Sequence, residues 1–146
     1  MEFVRMNASH ILQIACLEQQ CFSMPWSENA LRSELTNPLS LWIVATEGDI
    51  VAGYVGSQAV LGEADMMNLA VSPDFRRRGV AETLVLELVQ NLRMQNVSSI
   101  TLEVRQSNFA AISLYEKLEF VQVGCRPNYY SNPKEAALIL RKEWDV

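Results

Sequence analysis

A long helical stripe flanked by strand-like segments is the feature that most constrains the fold of this chain. From Gly79 to Asn96, apolar residues recur at one-face spacing, at Ala81, Leu84, Val85, Leu88 and Leu92. That spacing predicts a helix that packs one face against a core. The apolar segment ADMMNLAVS (64–72) precedes the stripe, and SITLEV (99–104) follows it with the alternation of a strand. Strands and helices therefore share one fold.

The rest of the chain continues this mixture of elements. Strand-like patterns cover 2–6, two runs within 41–61, 120–125 and 135–144, and the turn-rich RPNYYSNPK joins the last two of these. Helix-like patterns cover 9–22, 27–35 and 108–118, with Ser9, Ser27 and Asn108 at their starts. The resulting order, β-α-α-β-β-β-α-β-α-β-β, predicts an α/β or α+β domain with a mixed sheet.

Composition limits the classes of function. The chain has 146 residues, which fits a single domain over 1–146 with a real core. A net charge of −5 argues against nonspecific nucleic-acid binding, and no apolar segment has signal-peptide or membrane-spanning length. Cys16, Cys21 and Cys125 form no CxxC pair and His10 is the only histidine, which gives little support for disulfides or a metal site. We expect a cytoplasmic protein without membrane or direct nucleic-acid contacts.

Positive charge is concentrated at the start of the long helix. In SPDFRRRGVAETL (72–84), Arg76, Arg77 and Arg78 directly precede Gly79. The helix dipole disfavours cations at this end by roughly 0.3–1 kcal/mol each, whereas its free N–H groups and the same dipole bind anions. The arrangement predicts a phosphate site, although neither common glycine-rich phosphate motif is present. The alternative is a solvated basic loop with a glycine that eases the turn.

The same segment resembles a known cofactor signature. LAVSPDFRRRGVAETLV is similar to the acetyl-coenzyme A motif of the GNAT N-acetyltransferases, R/Q-x-x-G-x-G/A at a helix start, here Arg76, Gly79 and Ala81. CFSMPWS, LEVRQSNFAAISLYEKLEF and RPNYY extend the resemblance toward the branch that acetylates ribosomal-protein alanines. It implies a mixed, largely antiparallel sheet of about seven strands with about four helices, acetyl-CoA as cosubstrate and no metal.

The resemblance also implies where acetyl-CoA binds. Its pyrophosphate would lie on the backbone of the turn, and its pantetheine arm would pair with the preceding strand. The implied cofactor-binding residues are Leu69, Ala70, Val71, Arg76, Arg77, Arg78, Gly79, Val80, Ala81, Glu82 and Asn108. Coenzyme A carries about four negative charges near neutral pH, so the flanking arginines become favourable.

Two residues carry the implied chemistry, Glu103 as general base and Tyr115 as general acid. An α-amine has a pKa of about 7.7–8.0, so a modest base is sufficient, through water if needed. From the pattern alone, Glu103 lies on the polar face of its strand and Tyr115 has the spacing of a core residue. Asn108 is independently suited to cap a helix.

The acceptor slot is implied between residues 22–27 and 128–131, where Trp26, Tyr129 and Tyr130 are suited to hold a peptide end. The alternative for each aromatic residue is simple loop anchoring. The implied reaction is acetylation of a protein N-terminus, the alanine of a small-subunit ribosomal protein. The residues leave open a lysine or small-molecule amine as acceptor, and a non-catalytic acetyl-CoA-binding module.

Two residues depart from the pattern of this branch. Glu82 places a carboxylate inside the proposed phosphate turn, although it suits the helix dipole. Glu119 stands where the branch usually has a glycine, in LYEKLEF. If Glu119 adopts a left-handed backbone conformation, the missing glycine costs on the order of 1 kcal/mol.

Overall fold

The computed structural model describes residues 1–145. The strands are β1 (Glu2–Arg5), β2 (Ser40–Glu47), β3 (Ile50–Val60), β4 (Glu63–Val71), β5 (Ser99–Arg105), β6 (Val121–Tyr130) and β7 (Glu135–Glu143). The α-helices are α1 (Ile11–Cys21), α2 (Glu28–Glu34), α3 (Val80–Met94) and α4 (Phe109–Lys117). Short 3-10 turns at Ala8–His10 and Pro73–Phe75 precede α1 and α3. The predicted order of elements is confirmed.

All strands lie in one seven-stranded sheet with the order β1-β2-β3-β4-β5-β7-β6. Neighbouring strands run antiparallel except β4 and β5, which run parallel. The predicted mixed, largely antiparallel sheet is confirmed. In the part of the chain that the structure describes, no helix is both long and apolar enough to cross a membrane.

Apolar residues on both faces of the sheet are covered by helices. On one face, α3 buries the stripe of Leu84, Val85, Leu88 and Leu92, as its spacing predicts. On the other face, α1 and α2 bury Ile11, Ile14, Leu17 and Leu31 against Trp42 and Tyr54. Two separate cores therefore hold the central strands between them, and β4 contributes Ala64 and Met66 to one core and Ala70 to the other.

Local side-chain caps explain where several helices begin. The Ser27 hydroxyl accepts from the Ala30 N–H at 3.0 Å, and Asn108 Oδ1 accepts from the Ala111 N–H at 3.2 Å, as predicted. The predicted start of the first helix at Ser9 is wrong. Asn7 instead caps the 3-10 turn, with its Oδ1 accepting from the Ser9 N–H at 2.9 Å, and the α-helix proper begins at Ile11.

Glu119, which stands where a glycine is usual in this branch, follows closely after the end of α4 at Lys117. Glu119 has a φ of 70°, in the left-handed region that glycine favours. Its N–H donates to the Glu116 carbonyl at 3.0 Å, and the Phe120 N–H donates to the Tyr115 carbonyl at 2.9 Å. These two hydrogen bonds form a Schellman motif. Glu119 therefore adopts the left-handed conformation in which the absence of glycine costs stability.

The last hairpin is longer than its sequence predicts. The strand expected over 120–125 continues to Tyr130, which pairs with Glu135, with an irregularity between Arg126 and Tyr130. Asn128 takes a φ of 57° within this irregularity, as asparagine readily does. Because β6 is an edge strand, Pro127 removes no necessary ladder hydrogen bond. Tyr129 and Tyr130 therefore lie on a strand end, whereas a loop was expected.

The parallel pair at the centre of the sheet opens into a cleft. Pairing between β4 and β5 covers only Glu63–Asp65 against Ser99–Thr101. Beyond it, β4 bulges, because Val55 pairs with Leu69 while Ser57 pairs with Met66. The β4 edge from Met66 to Val71 is left without a neighbouring strand on that side. This opening positions the candidate site.

Candidate active site

The turn between β4 and α3 presents backbone N–H groups at a helix start. Arg77 and Gly79 both have left-handed backbones, with φ values of 63° and 73°. The N–H groups of Val80, Ala81 and Glu82 lie at the first turn of α3, where no intrahelical carbonyl is available. A depression of ≈ 230 Å³ is lined by this turn together with Val71, Phe75 and Leu114. Backbone donors and helix dipole make it suited to a phosphate group.

The three arginines at this turn have different surroundings. Arg76 Nε donates to the Val71 carbonyl at 3.2 Å, which ties the turn to the end of β4. The Arg78 guanidinium lies over the Phe75 ring at 5.2 Å from its centroid. Arg77 is exposed and carries the unusual backbone conformation. All three remain close enough to the turn to attract phosphate by charge.

Glu82 and Gly79 have distinct roles at this turn. The Glu82 carboxylate forms an ion pair with Lys117 of α4 at 2.9 Å, so a cation compensates its charge beside the depression at the start of α3. At Gly79, a Cβ would meet no protein atom within 4 Å, so within the protein itself the positive φ of 73° is what favours glycine at this position.

A second cavity of ≈ 440 Å³ occupies the opening between β4 and β5. It brings together residues that are far apart in sequence and that the sequence predicts for one site. Its lining includes the predicted site residues Leu69, Glu103, Asn108, Tyr115, Tyr129 and Tyr130. The predicted catalytic pair therefore lies in the same cleft as the predicted acceptor tyrosines.

Glu103 lies on β5 and faces two residues of β6. Tyr129 donates a hydrogen bond from its hydroxyl to Glu103 Oε2 at 2.9 Å, and Arg126 Nε lies 3.6 Å from Glu103 Oε1. The hydrogen bond to this carboxylate raises the pKa of Tyr129, so the phenol keeps its proton. Glu103 is one-third exposed, which leaves it open to a substrate or to water.

Tyr115 projects from α4 into the floor of the cleft and is 6% exposed. Its hydroxyl lies 3.6 Å from Met66 Sδ on the unpaired part of β4, and its ring packs against Phe120 at 5.3 Å between centroids. Burial raises the pKa of Tyr115 well above its ordinary value. The hydroxyl is therefore protonated at neutral pH and can donate a proton, but it cannot act there as a base.

The remaining predicted cofactor contacts are backbone groups and one amide. Leu69, Ala70 and Val71 pair with β3 on one side, while their other edge faces the opening. An extended ligand can add to this edge as a further strand does. Asn108 uses Oδ1 to cap α4, which leaves its Nδ2 group free to donate to a ligand.

The two segments predicted to hold the acceptor, 22–27 and 128–131, form two walls that contribute differently to the lining of the cleft. Tyr129 and Tyr130 both line it, with their rings edge-to-face at 5.0 Å. Trp26 does not belong to the lining and instead packs edge-on against Trp42 at 5.3 Å. From the segment at 22–27, Phe22 reaches the cleft in its place. Substrate contact by Trp26 stays a prediction.

The β6–β7 connection is held in place by Arg105, which the sequence does not single out. Its guanidinium donates to the Ser131 carbonyl at 3.1 Å and to the Pro133 carbonyl at 2.9 Å. It also lies 4.4 Å from the centroid of the Tyr130 ring. Arg105 therefore fixes one tyrosine of the acceptor wall.

Sequence reasoning also misses Asn68, which lines the cleft, and Glu18, to which Asn68 is bonded. A signal for Glu18 does exist in the sequence. It follows Ile11 and Ile14 at i+7 and i+4, a position of the helical stripe where an apolar residue is expected. For residues 1–145, no group of three His, Cys, Asp or Glu side chains is arranged to hold a metal.

Comparison with known proteins assigns the family. The family model for the acetyltransferase (GNAT) family matches residues 11–120. The [ribosomal protein bS18]-alanine N-acetyltransferase of Escherichia coli K12 is 37% identical over 126 residues, 85% of this chain and 84% of that protein. The protein of the same name from Salmonella typhimurium is 39% identical over 126 residues, again 85% and 84% of the two chains.

Solved structures agree with this assignment. The ribosomal-protein-S18-alanine N-acetyltransferase from Escherichia coli superposes with a TM-score of 0.90 at 32% identity, covering 99% of this chain and 94% of that one. Ard1 from Thermoplasma volcanium gives 0.89 at 25% identity, covering 99% and 98%. The chain therefore belongs to the acetyltransferase (GNAT) family and is an acetyl-CoA-dependent N-acetyltransferase.

Proposed function

We propose that this enzyme acetylates the α-amine of a protein N-terminus, and that its acceptor is the N-terminal alanine of ribosomal protein bS18. Two relatives that bear this name are 37% and 39% identical, each over 85% of the chain. The observation that carries the proposal is the cleft between β4 and β5, where Glu103, Tyr115, Tyr129 and Tyr130 share one lining.

In this proposal the turn at 76–82 holds the pyrophosphate of acetyl-CoA, and Leu69, Ala70 and Val71 pair with the pantetheine arm. The unpaired β4 edge supports this arrangement, because its N–H and C=O groups face the opening. An N–H of the same edge would donate to the thioester oxygen as negative charge develops there. Asn108 would contribute its free Nδ2 group.

Glu103 would act as general base. The acceptor nitrogen must lose its proton before or during attack on the thioester carbon, and Glu103 would accept that proton directly or through water. Its one-third exposure and the position of the acceptor tyrosines beside it support this role. Tyr129 would release or share its hydrogen bond to Glu103 as the amine approaches.

Tyr115 would act as general acid. When the C–N bond has formed, the C–S bond breaks and the sulfur of coenzyme A leaves with the electron pair. Burial raises the pKa of Tyr115, so its phenol carries a proton at neutral pH and would pass it to the thiolate. Glu103 would then release the proton taken from the amine to solvent, and Tyr115 would regain a proton from solvent. Met66 and Phe120 hold the hydroxyl and the ring at the cleft floor.

The test is release of coenzyme A thiol with a panel of peptides. A peptide that starts with a free alanine should react. The same peptide with its α-amine blocked and its lysines free should give no release above background. Equal rates with both peptides would refute the N-α assignment in favour of lysine, and no release with any amine would support a non-catalytic acetyl-CoA-binding module.

A further inference from the structure

Glu18 is a fully buried acidic residue outside the proposed catalytic machinery. It lies in the last turns of α1 with 0% of its surface exposed. Among residues 1–145, no lysine, arginine or histidine forms an ion pair with it. A carboxyl group buried in this way is costly unless hydrogen bonds satisfy its oxygens, so its bonding partners are informative.

Its oxygens accept hydrogen bonds from three different segments. The backbone N–H of Trp26 donates to Oε1 at 2.8 Å, and Asn68 Nδ2 donates to Oε1 at 2.9 Å and to Oε2 at 3.0 Å. The hydroxyl of Tyr54 on β3 also donates to Oε2. The carboxyl group thus joins the segment after α1, the bulge of β4 and the buried centre of β3.

Two of these partners belong to the walls of the proposed active site. Asn68 lies in the β4 bulge and lines the cleft directly before Leu69. Trp26 belongs to the segment that carries Phe22 to the cleft. Within residues 1–145, the bond from the Trp26 N–H is the sole hydrogen bond made by residues 23–26. Glu18 therefore holds this segment, one wall of the cleft, to α1 through a hydrogen bond.

We propose that Glu18 is a positioning residue for the acceptor, which sets the spacing between the wall at 22–27 and the bulge of β4. The inference rests on the proposed function, since it assumes that the acceptor peptide enters between these walls. Leu69, Ala70 and Val71 are held separately by pairing with β3. The acetyl-CoA side should therefore keep its geometry when the Glu18 contacts are weakened.

A second buried glutamate provides a matched control. Glu34 on α2 accepts from Trp42 Nε1 at 3.0 Å, from Gln58 Nε2 at 2.9 Å and from Asn37 Nδ2 at 3.1 Å. Its chemistry is like that of Glu18, but none of its partners lines the cleft, and its link to the wall at 22–27 passes only through the ring contact of buried Trp42 with Trp26 among the described residues. A substitution at Glu34 should therefore reproduce the loss of stability without the effect on the acceptor.

The experiment compares Glu18→Gln and Glu34→Gln with the wild-type enzyme at saturating acetyl-CoA. For Glu18→Gln we expect kcat/KM for the alanine peptide to fall about tenfold, mainly through a higher KM, as the loss of one hydrogen bond predicts. In a separate titration of acetyl-CoA at a fixed peptide concentration, the KM for acetyl-CoA should stay within about twofold of wild type. Glu34→Gln should lower the melting temperature and leave both KM values unchanged.

Three results would overturn the inference. They are an unchanged peptide KM in Glu18→Gln, an equal rise in Glu34→Gln, or an equal loss of acetyl-CoA affinity. If Glu18→Gln does not fold, hydrogen exchange of the wild-type enzyme decides the question. The Trp26 amide should be protected relative to Ser23 and Met24, and equal exchange would refute the attachment. Failure of the proposed function is distinguishable, because wild-type enzyme would then not acetylate the peptide.

Discussion

The hydroxyl of Tyr129 donates a 2.9 Å hydrogen bond to Oε2 of Glu103, so the proposed acceptor wall touches the proposed base. The residue proposed to hold a peptide end and the residue proposed to remove its proton thus lie in direct contact. Arg126 approaches the other oxygen of the same carboxylate at 3.6 Å. Substitutions at Tyr129 and Glu103 should therefore have coupled effects, because the two side chains share a hydrogen bond.

Replacement of Glu103 tests the assignment of the base. Glu103→Gln keeps the size of the side chain and a partner for Tyr129 but removes the proton acceptor, so we expect kcat to fall by about 10²-fold. Acetyl-CoA affinity, measured by calorimetry, should be nearly unchanged. Glu63→Gln removes an equal charge from an exposed position on β4 and should leave kcat intact. Lost acetyl-CoA affinity in Glu103→Gln would indicate a structural role.

Replacement of Arg77 tests the electrostatic role of the phosphate turn. Arg77→Ala should weaken acetyl-CoA binding more at low than at high ionic strength, because salt screens the attraction to phosphate. Arg77→Gly removes the same charge and also relieves the positive φ of 63°. Both variants should show the same salt dependence of the dissociation constant. Arg93→Ala, at the other end of α3, is the control and should bind as wild type does.

A salt-independent loss in Arg77→Ala would contradict the electrostatic account. A loss in Arg77→Ala that Arg77→Gly restores would assign the effect to backbone conformation, because only the glycine variant relieves the left-handed geometry.

Replacement of Glu119 tests the strain at the end of α4. Glu119→Gly should raise the free energy of unfolding by about 1 kcal/mol, because glycine adopts the left-handed conformation without the penalty of a side chain. Urea denaturation measures the change. Asn96→Gly, at a φ of 62° after α3, should gain less, since asparagine tolerates this region. Destabilisation in Glu119→Gly would show that interactions of the Glu119 side chain stabilise the fold by more than its left-handed backbone conformation destabilises it.

The pH dependence of stability follows from Glu34. Burial alone would raise its pKa, but the hydrogen bonds from Gln58, Trp42 and Asn37 together outweigh it and hold the pKa below the ordinary 4.5. A lowered folded-state pKa adds stability that is present above 4.5 and is lost as the pH falls through the folded-state value. The stability difference between wild type and Glu34→Gln should therefore shrink as pH decreases from 7 to 3 in urea denaturation. A constant difference would contradict this account.

Features set by local chemistry can be predicted from the sequence. Ser27 and Asn108 cap helices as expected, because a cap involves residues three positions apart. The glycine turn at the start of α3 is likewise local, since Gly79 and the helix are adjacent in the chain. The order of elements follows from hydrophobic periodicity, which each segment carries within itself.

Features set by tertiary contacts could not be predicted in the same way. Trp26 faces Trp42 and its amide bonds Glu18, contacts that depend on how α1 packs on the sheet. The continuation of β6 to Tyr130 depends on pairing with β7, which overrides the turn propensity of RPNYYSNPK. The ion pair of Glu82 with Lys117 depends on the placement of α4 beside α3.

The central claim is that the acetyl group reaches an α-amine. The most direct measurement is fragment-ion mass spectrometry of a peptide that starts with alanine and contains an internal lysine, after reaction with isotopically labelled acetyl-CoA. The account predicts the label on the alanine nitrogen and an unlabelled lysine. Label on the lysine side chain with a free alanine amine would contradict it.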